Sequence, residues 1–160
     1  MMGGQRMAYV FMTDEQEAHV ERTYEASGGE NAVILQPGPF NPIVSTRNSP
    51  TGPTLTRNTE QPRSVMDRLR GIRRVVRQDI EFVVSEQVVE PTEENQLQSH
   101  IGGEPFWLQS DETPGDGEWR FLMQIDSATV PFEINFGDAG VAYVFAKTSG
   151  TEACMFWQCC

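Results

Sequence analysis

The chain has almost no lysine: of its twelve basic residues only Lys147 is not arginine. Cysteine is missing from the first 153 positions, and Cys154, Cys159 and Cys160 crowd the last seven. An odd number so placed cannot frame a secreted disulfide scaffold. No apolar run approaches the roughly 18 residues that read as a membrane span, and the opening MMGGQRM lacks the apolar core of a signal peptide. A cytoplasmic protein with no membrane partner is expected. Histidine occurs twice, at His19 and His100. Two histidines and three clustered cysteines lack the paired spacing of a structural zinc site, so no metal or other cofactor is expected.

Acid dominates what is present. The 160 residues carry 23 acidic and 12 basic side chains, for a net charge of −11. Six arginines fall between Arg63 and Arg77, opposed only by Asp67, so that segment holds +5 and the remainder −16. A surface that negative repels phosphate backbones, which argues against direct nucleic-acid binding, and it steers basic proteins towards itself. The plainer use of such acidity is solubility. At 18.0 kDa the chain fits one domain with a substantial core.

Periodicity supplies the elements. Thr13 with Gln16 forms a capping-box pattern for a helix that Gly28 and Gly29 should end, and AVILQ (residues 32–36) reads as a buried strand. Residues 37–62 hold six of the ten prolines and read as one long loop or arm. Across residues 64–78, Val65, Leu69, Ile72 and Val76 share one helical face, with the arginines mostly elsewhere. A basic amphipathic helix can meet an anionic membrane or nucleic acid, but within so acidic a chain internal salt bridging is the expected use. Residues 80–89 alternate like a strand.

The C-terminal third is the clearest part. WRFLMQI places Trp119, Phe121, Met123 and Ile125 on one face; Val141, Tyr143 and Phe145 alternate next, then Met155 and Trp157. Turn residues separate the three runs, so an antiparallel meander is expected. The fold class is α+β: a mostly antiparallel sheet, one or two helices and a long Pro-rich loop.

IGGEPFWLQ (residues 101–109), FLMQID, FGDAGVAYVF and the terminal FWQC, in that order over residues 101–159, resemble the C-terminal half of the YwqG-like family of bacterial domains. The resemblance implies a single domain over residues 1–160 with an antiparallel α+β fold. It also implies a candidate immunity protein, encoded near polymorphic or contact-dependent toxins.

Chemistry is sparse. Cys154 or Cys159 with His100 has no cationic or helix N-terminal neighbour in the sequence to activate a thiol, no nucleophile elbow occurs, and no glycine pattern forms a phosphate loop. A non-enzyme is expected. Two readings follow. The first is a protein that neutralises a cognate toxin by occluding its active site. Glu93, Glu94, Glu104, Asp111, Glu112, Asp116 and Glu118 would meet a basic cleft, with Trp107 as the aromatic anchor. The second is a small-molecule or enzymatic pocket near Trp107 and Trp119 that uses Gln109, Gln124, Asp126 and Asp138. The simpler role for those four is to hold turn backbone at the corners of the meander.

Overall fold

The computed structural model describes residues 7–13, 22–36, 56–80, 87–90, 92–93, 95–115 and 117–160. Its elements run β1 (Ala8–Met12), β2 (Asn31–Leu35), β3 (Thr56–Gln61), α1 (Val65–Leu69), β4 (Arg74–Asp79), β5 (His100–Ile101), β6 (Trp119–Asp126), β7 (Val141–Lys147) and β8 (Ala153–Gln158). Among the described residues all strand pairs are antiparallel and the one helix is short. The described residues gather into two compact units, one within 1–44, 90–130 and 135–160, the other within 45–89 and 131–134.

In the first unit the expected three-stranded meander forms from β6, β7 and β8, and the short strand β5, which was not expected, pairs with the outer edge of β6. The three longer strands match the alternating runs to within a residue or two, because β-branched and aromatic residues at every second position suit a pleated, buried surface. β7 is buried on both faces through Ala146. One irregularity changes which residues share a face. Phe121 pairs with Phe145 but Met123 pairs with Val144, so Leu122 is the extra residue of a bulge. The expected row of Trp119, Phe121, Met123 and Ile125 is therefore broken. Beyond the bulge Gln124 opposes Tyr143 and Asp126 opposes Val141, and Gln124 takes the place on the aromatic face that the simple alternation gives to Met123.

β1 and β2 pair as an antiparallel hairpin. The strand expected at residues 32–36 is present, but it is not buried throughout, since Ile34 is 56% exposed. The segment before β2 lies along the free edge of β8. The Trp157 backbone N–H donates to Tyr24 O at 3.4 Å, Asn31 Nδ2 donates to Met155 O at 3.2 Å, and Trp157 Nε1 donates to the buried Thr23 hydroxyl at 3.1 Å. Tyr24 and Phe136 pack their rings against Trp157. Of the helix expected to open at Thr13, residues 14–21 lie outside the described residues. Thr13 itself bonds back to Glu30 O and Oε2.

The second unit corrects the helix expected over residues 64–78. Ser64 caps it as expected, accepting from Asp67 N at 3.0 Å, but α1 ends after one turn. Gly71 takes φ +66, a left-handed conformation that closes a helix and that side chains adopt at a cost. Past it, Val75 and Val76 are β-branched, and Arg74–Asp79 pairs residue for residue with Thr56–Gln61. Helical spacing was present in the apolar residues, yet a partner strand and a left-handed glycine decided the outcome. That partner strand also corrects the end of the expected loop over residues 37–62: Thr56–Gln61 is β3, while residues 37–55 lie outside the described residues. Of the strand expected at 80–89, residues 81–86 lie outside them as well, and residues 87–89 are irregular and exposed.

Candidate functional site

Phe121, Val141, Tyr143, Phe145 and Phe156 form the buried aromatic face of the meander, with Trp107, Leu108, Trp119 and Cys154 packed on it. Trp107 is the centrepiece. Its ring lies parallel to Phe145 and Phe156 at 5.9 and 6.2 Å and tilts over Tyr143 at 4.7 Å. A parallel offset arrangement keeps the rings' electron-rich faces apart while burying their area.

A loop crosses an apolar face only if its backbone polar groups find partners. Three side chains on three adjacent strands provide them. Gln124 of β6 accepts from Phe106 N at 3.0 Å and donates through Nε2 to Gln96 O and Gln98 O at 3.0 and 3.2 Å. The Tyr143 hydroxyl of β7 donates to Phe106 O and accepts from Leu108 N, both at 2.9 Å. Gln158 of β8 accepts from Gln109 N at 3.0 Å and donates to Ser110 O at 2.7 Å. All three are buried. Burial raises the pKa of the Tyr143 phenol, opposed by the Leu108 N–H and reinforced by the nearby negative charge of Glu112. The hydroxyl therefore keeps the proton that its bond to Phe106 O requires.

The turn into this loop explains IGG. Gly102 and Gly103 have φ of +74 and +73, and Gly102 N donates to Leu122 O at 2.8 Å, extending the short β5–β6 ladder. The His100 ring spans the turn, with Nδ1 at 2.9 Å from Gln98 O and Nε2 at 3.2 Å from Glu104 O.

Each residue singled out in the sequence now has a place. Glu93, Glu104, Asp111, Glu112 and Glu118 are exposed, and none of them is in an ion pair among the described residues. Glu94 and Asp116 lie outside the described residues. Asp111 accepts from Thr113 N at 2.8 Å, and its hydrogen bonds to Thr113 hold its carboxyl below the usual carboxylate range. Trp107 is half-buried in the aromatic face. Gln109 donates from its side chain to Cys159 O. Asp126 accepts from Ala128 N at 2.9 Å and its own N–H bonds Ser99 Oγ. Asp138 is exposed, and its carbonyl accepts from Cys160 N. Gln124, Asp126 and Gln109 thus hold turns and loop backbone. Tyr143 and Gln158, which complete the clamp, were not singled out in the sequence. In the sequence their alternation marks them only as strand positions, and what they hold is a loop 35–49 residues earlier in the chain.

Among the described residues no group of three or more His, Cys, Asp or Glu is placed to hold a metal ion. A separate hollow of about 630 Å³ opens in the same unit between β2 and the start of β8, lined by Val33, Leu35, Trp119 and Cys154 with Glu152 at its polar side. The Lys147 ammonium sits 5.3 Å above the Trp119 ring and 2.7 Å from Glu152.

Comparison with known proteins places the chain in a family. A model for a domain of unknown function (DUF1963) matches residues 3–160. The chain belongs to the DUF1963 family. No curated protein and no solved structure matches it. The family match takes in the N-terminal residues that the motifs at 101–159 do not reach, the β1–β2 hairpin and the β3–α1–β4 unit included. Among the described residues no helix is long and apolar enough to cross a membrane.

Proposed function

We propose that this DUF1963 chain is an immunity-type protein, without catalytic activity of its own, that binds a cognate bacterial toxin in the cytoplasm and occludes its active site. The link to toxins comes from the YwqG-like resemblance of residues 101–159. The observation that carries it is the loop itself. Residues 106–110 are fixed to a buried aromatic face by three buried side chains, while Glu104, Asp111, Glu112 and Glu118, in and beside that loop, stay exposed and unpaired among the described residues. A carboxylate surface on a pre-organised loop loses little conformational freedom on binding, and a basic catalytic cleft is its electrostatic complement.

Of the four side chains that the pocket reading would use, three bond backbone: Gln124 three groups, Asp126 its own turn and Gln109 the Cys159 carbonyl. The experiment is co-expression of the chain with each candidate toxin encoded in its genomic neighbourhood. Rescue of growth by the wild-type chain, lost on joint reversal of Glu104, Asp111, Glu112 and Glu118 to Lys, is the expected result. Rescue that survives the reversal removes the acidic surface from the mechanism.

A second reading, binding of a small molecule, draws support from the hollow beside Trp119, whose size lies in the range of ligand pockets, roughly 300–1,000 Å³. Its test is a melting shift across a metabolite panel that disappears in Trp119→Ala.

A further inference from the structure

The second unit contains a two-stranded ribbon whose tip is built inside out. β3 and β4 pair from Thr56 with Asp79 to Gln61 with Arg74, and the twelve residues between them carry α1. In that helix the carboxylate is inside and the aliphatic residues are outside. Asp67 is 8% exposed, whereas Val65, Met66 and Leu69 are 74%, 53% and 76% exposed. Ile72 and Val75 are exposed beside them. Asp67 is held in by its N–H bond to Ser64 Oγ at 3.0 Å and by Arg74 Nε at 3.2 Å, and the Arg74 hydrogen bond is the main cause that lowers its pKa. The Ile72 N–H closes the turn on Asp67 O at 2.8 Å. The hydrogen bonds that fix the tip therefore also fix its aliphatic side chains outward.

Cations surround those side chains. Residues 62–73 hold four arginines against Asp67 alone. The Arg63 side chain is committed to Val75 O, but the guanidinium groups of Arg68, Arg70 and Arg73 make no hydrogen bond or ion pair among the described residues. An exposed aliphatic cluster rimmed by unpaired cations marks an interaction surface. Its size selects the partner. A stable protein interface needs on the order of 800 Å² and roughly 20–30 residues a side, more than a twelve-residue tip presents, and aromatic anchors are missing from it. A nucleic acid would use the arginines and leave the aliphatic residues in water. A lipid surface needs only a few inserted side chains and cations at the headgroups.

We propose that the β3–β4 tip docks on an anionic lipid surface, with Val65, Met66 and Leu69 among the acyl chains and Arg68, Arg70 and Arg73 at the lipid phosphates. The expectation of no membrane partner followed from the lack of a spanning apolar run and, for this segment, from the acidity of the rest of the chain. Screening at physiological salt confines each charge to about 8 Å, so the tip's own positive balance governs what the tip touches. The inference is independent of the toxin-binding proposal and uses none of its residues.

Flotation of the full chain with vesicles tests it, comparing pure phosphatidylcholine with an equimolar mixture containing phosphatidylglycerol. The wild-type chain should float with the mixture and not with phosphatidylcholine alone. Joint replacement of Arg68, Arg70 and Arg73 by Gln should lower partitioning about fivefold per arginine, on the order of a hundredfold in all. Val65→Gln with Leu69→Gln should lower it as well, while circular dichroism melting of both exposed-site variants stays at the wild-type value. No flotation, flotation indifferent to phosphatidylglycerol, or partitioning unchanged in either variant overturns the proposal. Arginine-dependent binding to polyuridylate or polyglutamate with none to vesicles would also overturn it, assigning the tip to nucleic acid or to an acidic protein.

Discussion

Tyr143→Phe removes one oxygen and two hydrogen bonds, leaving the ring and its stacking with Trp107 in place. The lost partners are Leu108 N–H and Phe106 C=O, each 2.9 Å from the hydroxyl, on a loop lying against a fully buried tyrosine. A typical hydrogen bond contributes about 1 kcal/mol net, and a buried donor left unpaired costs about 1–3 kcal/mol. The variant should therefore lose roughly 2–4 kcal/mol, since Leu108 N–H has no second acceptor among the described residues and Phe106 C=O is in contact with the same face. At about 2–4 °C per kcal/mol for a chain of this size, the melting point should fall by roughly 4–16 °C. Urea unfolding followed by tryptophan fluorescence measures the loss directly. Adding Gln158→Leu should give a cost that differs from the sum of the single costs by more than about 0.5 kcal/mol, because both side chains hold the same loop. A Tyr143→Phe variant within about 0.5 kcal/mol of wild type, additive with Gln158→Leu, would refute the clamp.

Alkaline titration gives an independent check on that hydroxyl. Its folded pKa is raised above the ordinary value of 10.0, so its contribution is complete below pH 10 and is lost as pH rises through the folded value. The difference in stability between wild type and Tyr143→Phe should shrink over that window, as read by urea midpoints at successive pH. Gly140→Ala should unfold or severely destabilise the meander, because a Cβ there would stand 1.9 Å from Phe136 O, and backbone cannot yield as a side chain can; thermal melting checks it. Ser64→Ala should cost about 1 kcal/mol, visible in urea unfolding, by removing the α1 cap, which is the bond from Asp67 N to Ser64 Oγ. Reversal of Glu104, Glu112 and Glu118 should leave stability within about 0.5 kcal/mol per site, since these side chains are exposed and carry no ion pair among the described residues, whereas Asp111→Lys should lower the urea midpoint by removing the bond from Thr113 N.

The meander was legible because its signals are local. Alternation in residues 119–126, 141–147 and 153–158 is enforced by burial on each strand, and the glycine-rich turns between them leave few other pairings. The bulge at Leu122 was not legible, and it matters, since it turns Gln124 onto the aromatic face. Nothing in WRFLMQI distinguishes a bulged strand from a regular one. The fate of residues 64–78 depended on a distant partner: Arg74–Asp79 became a strand because Thr56–Gln61, polar and unpatterned by itself, lies opposite. Of the candidate residues, Gln109, Gln124 and Asp126 bond backbone, a role that Asp commonly takes at turns and that the two glutamines reach here with longer side chains. The acidic loop residues were readable as exposed from charge alone.

The most direct test of the proposed toxin binding by the acidic loop is the association rate constant with a candidate toxin from the same genome, measured by stopped flow against ionic strength. The wild-type rate should fall steeply with salt, and the low-salt rate should be at least about tenfold slower when Glu104, Asp111, Glu112 and Glu118 are all Lys. Equal rates for the two proteins at every salt concentration would contradict it.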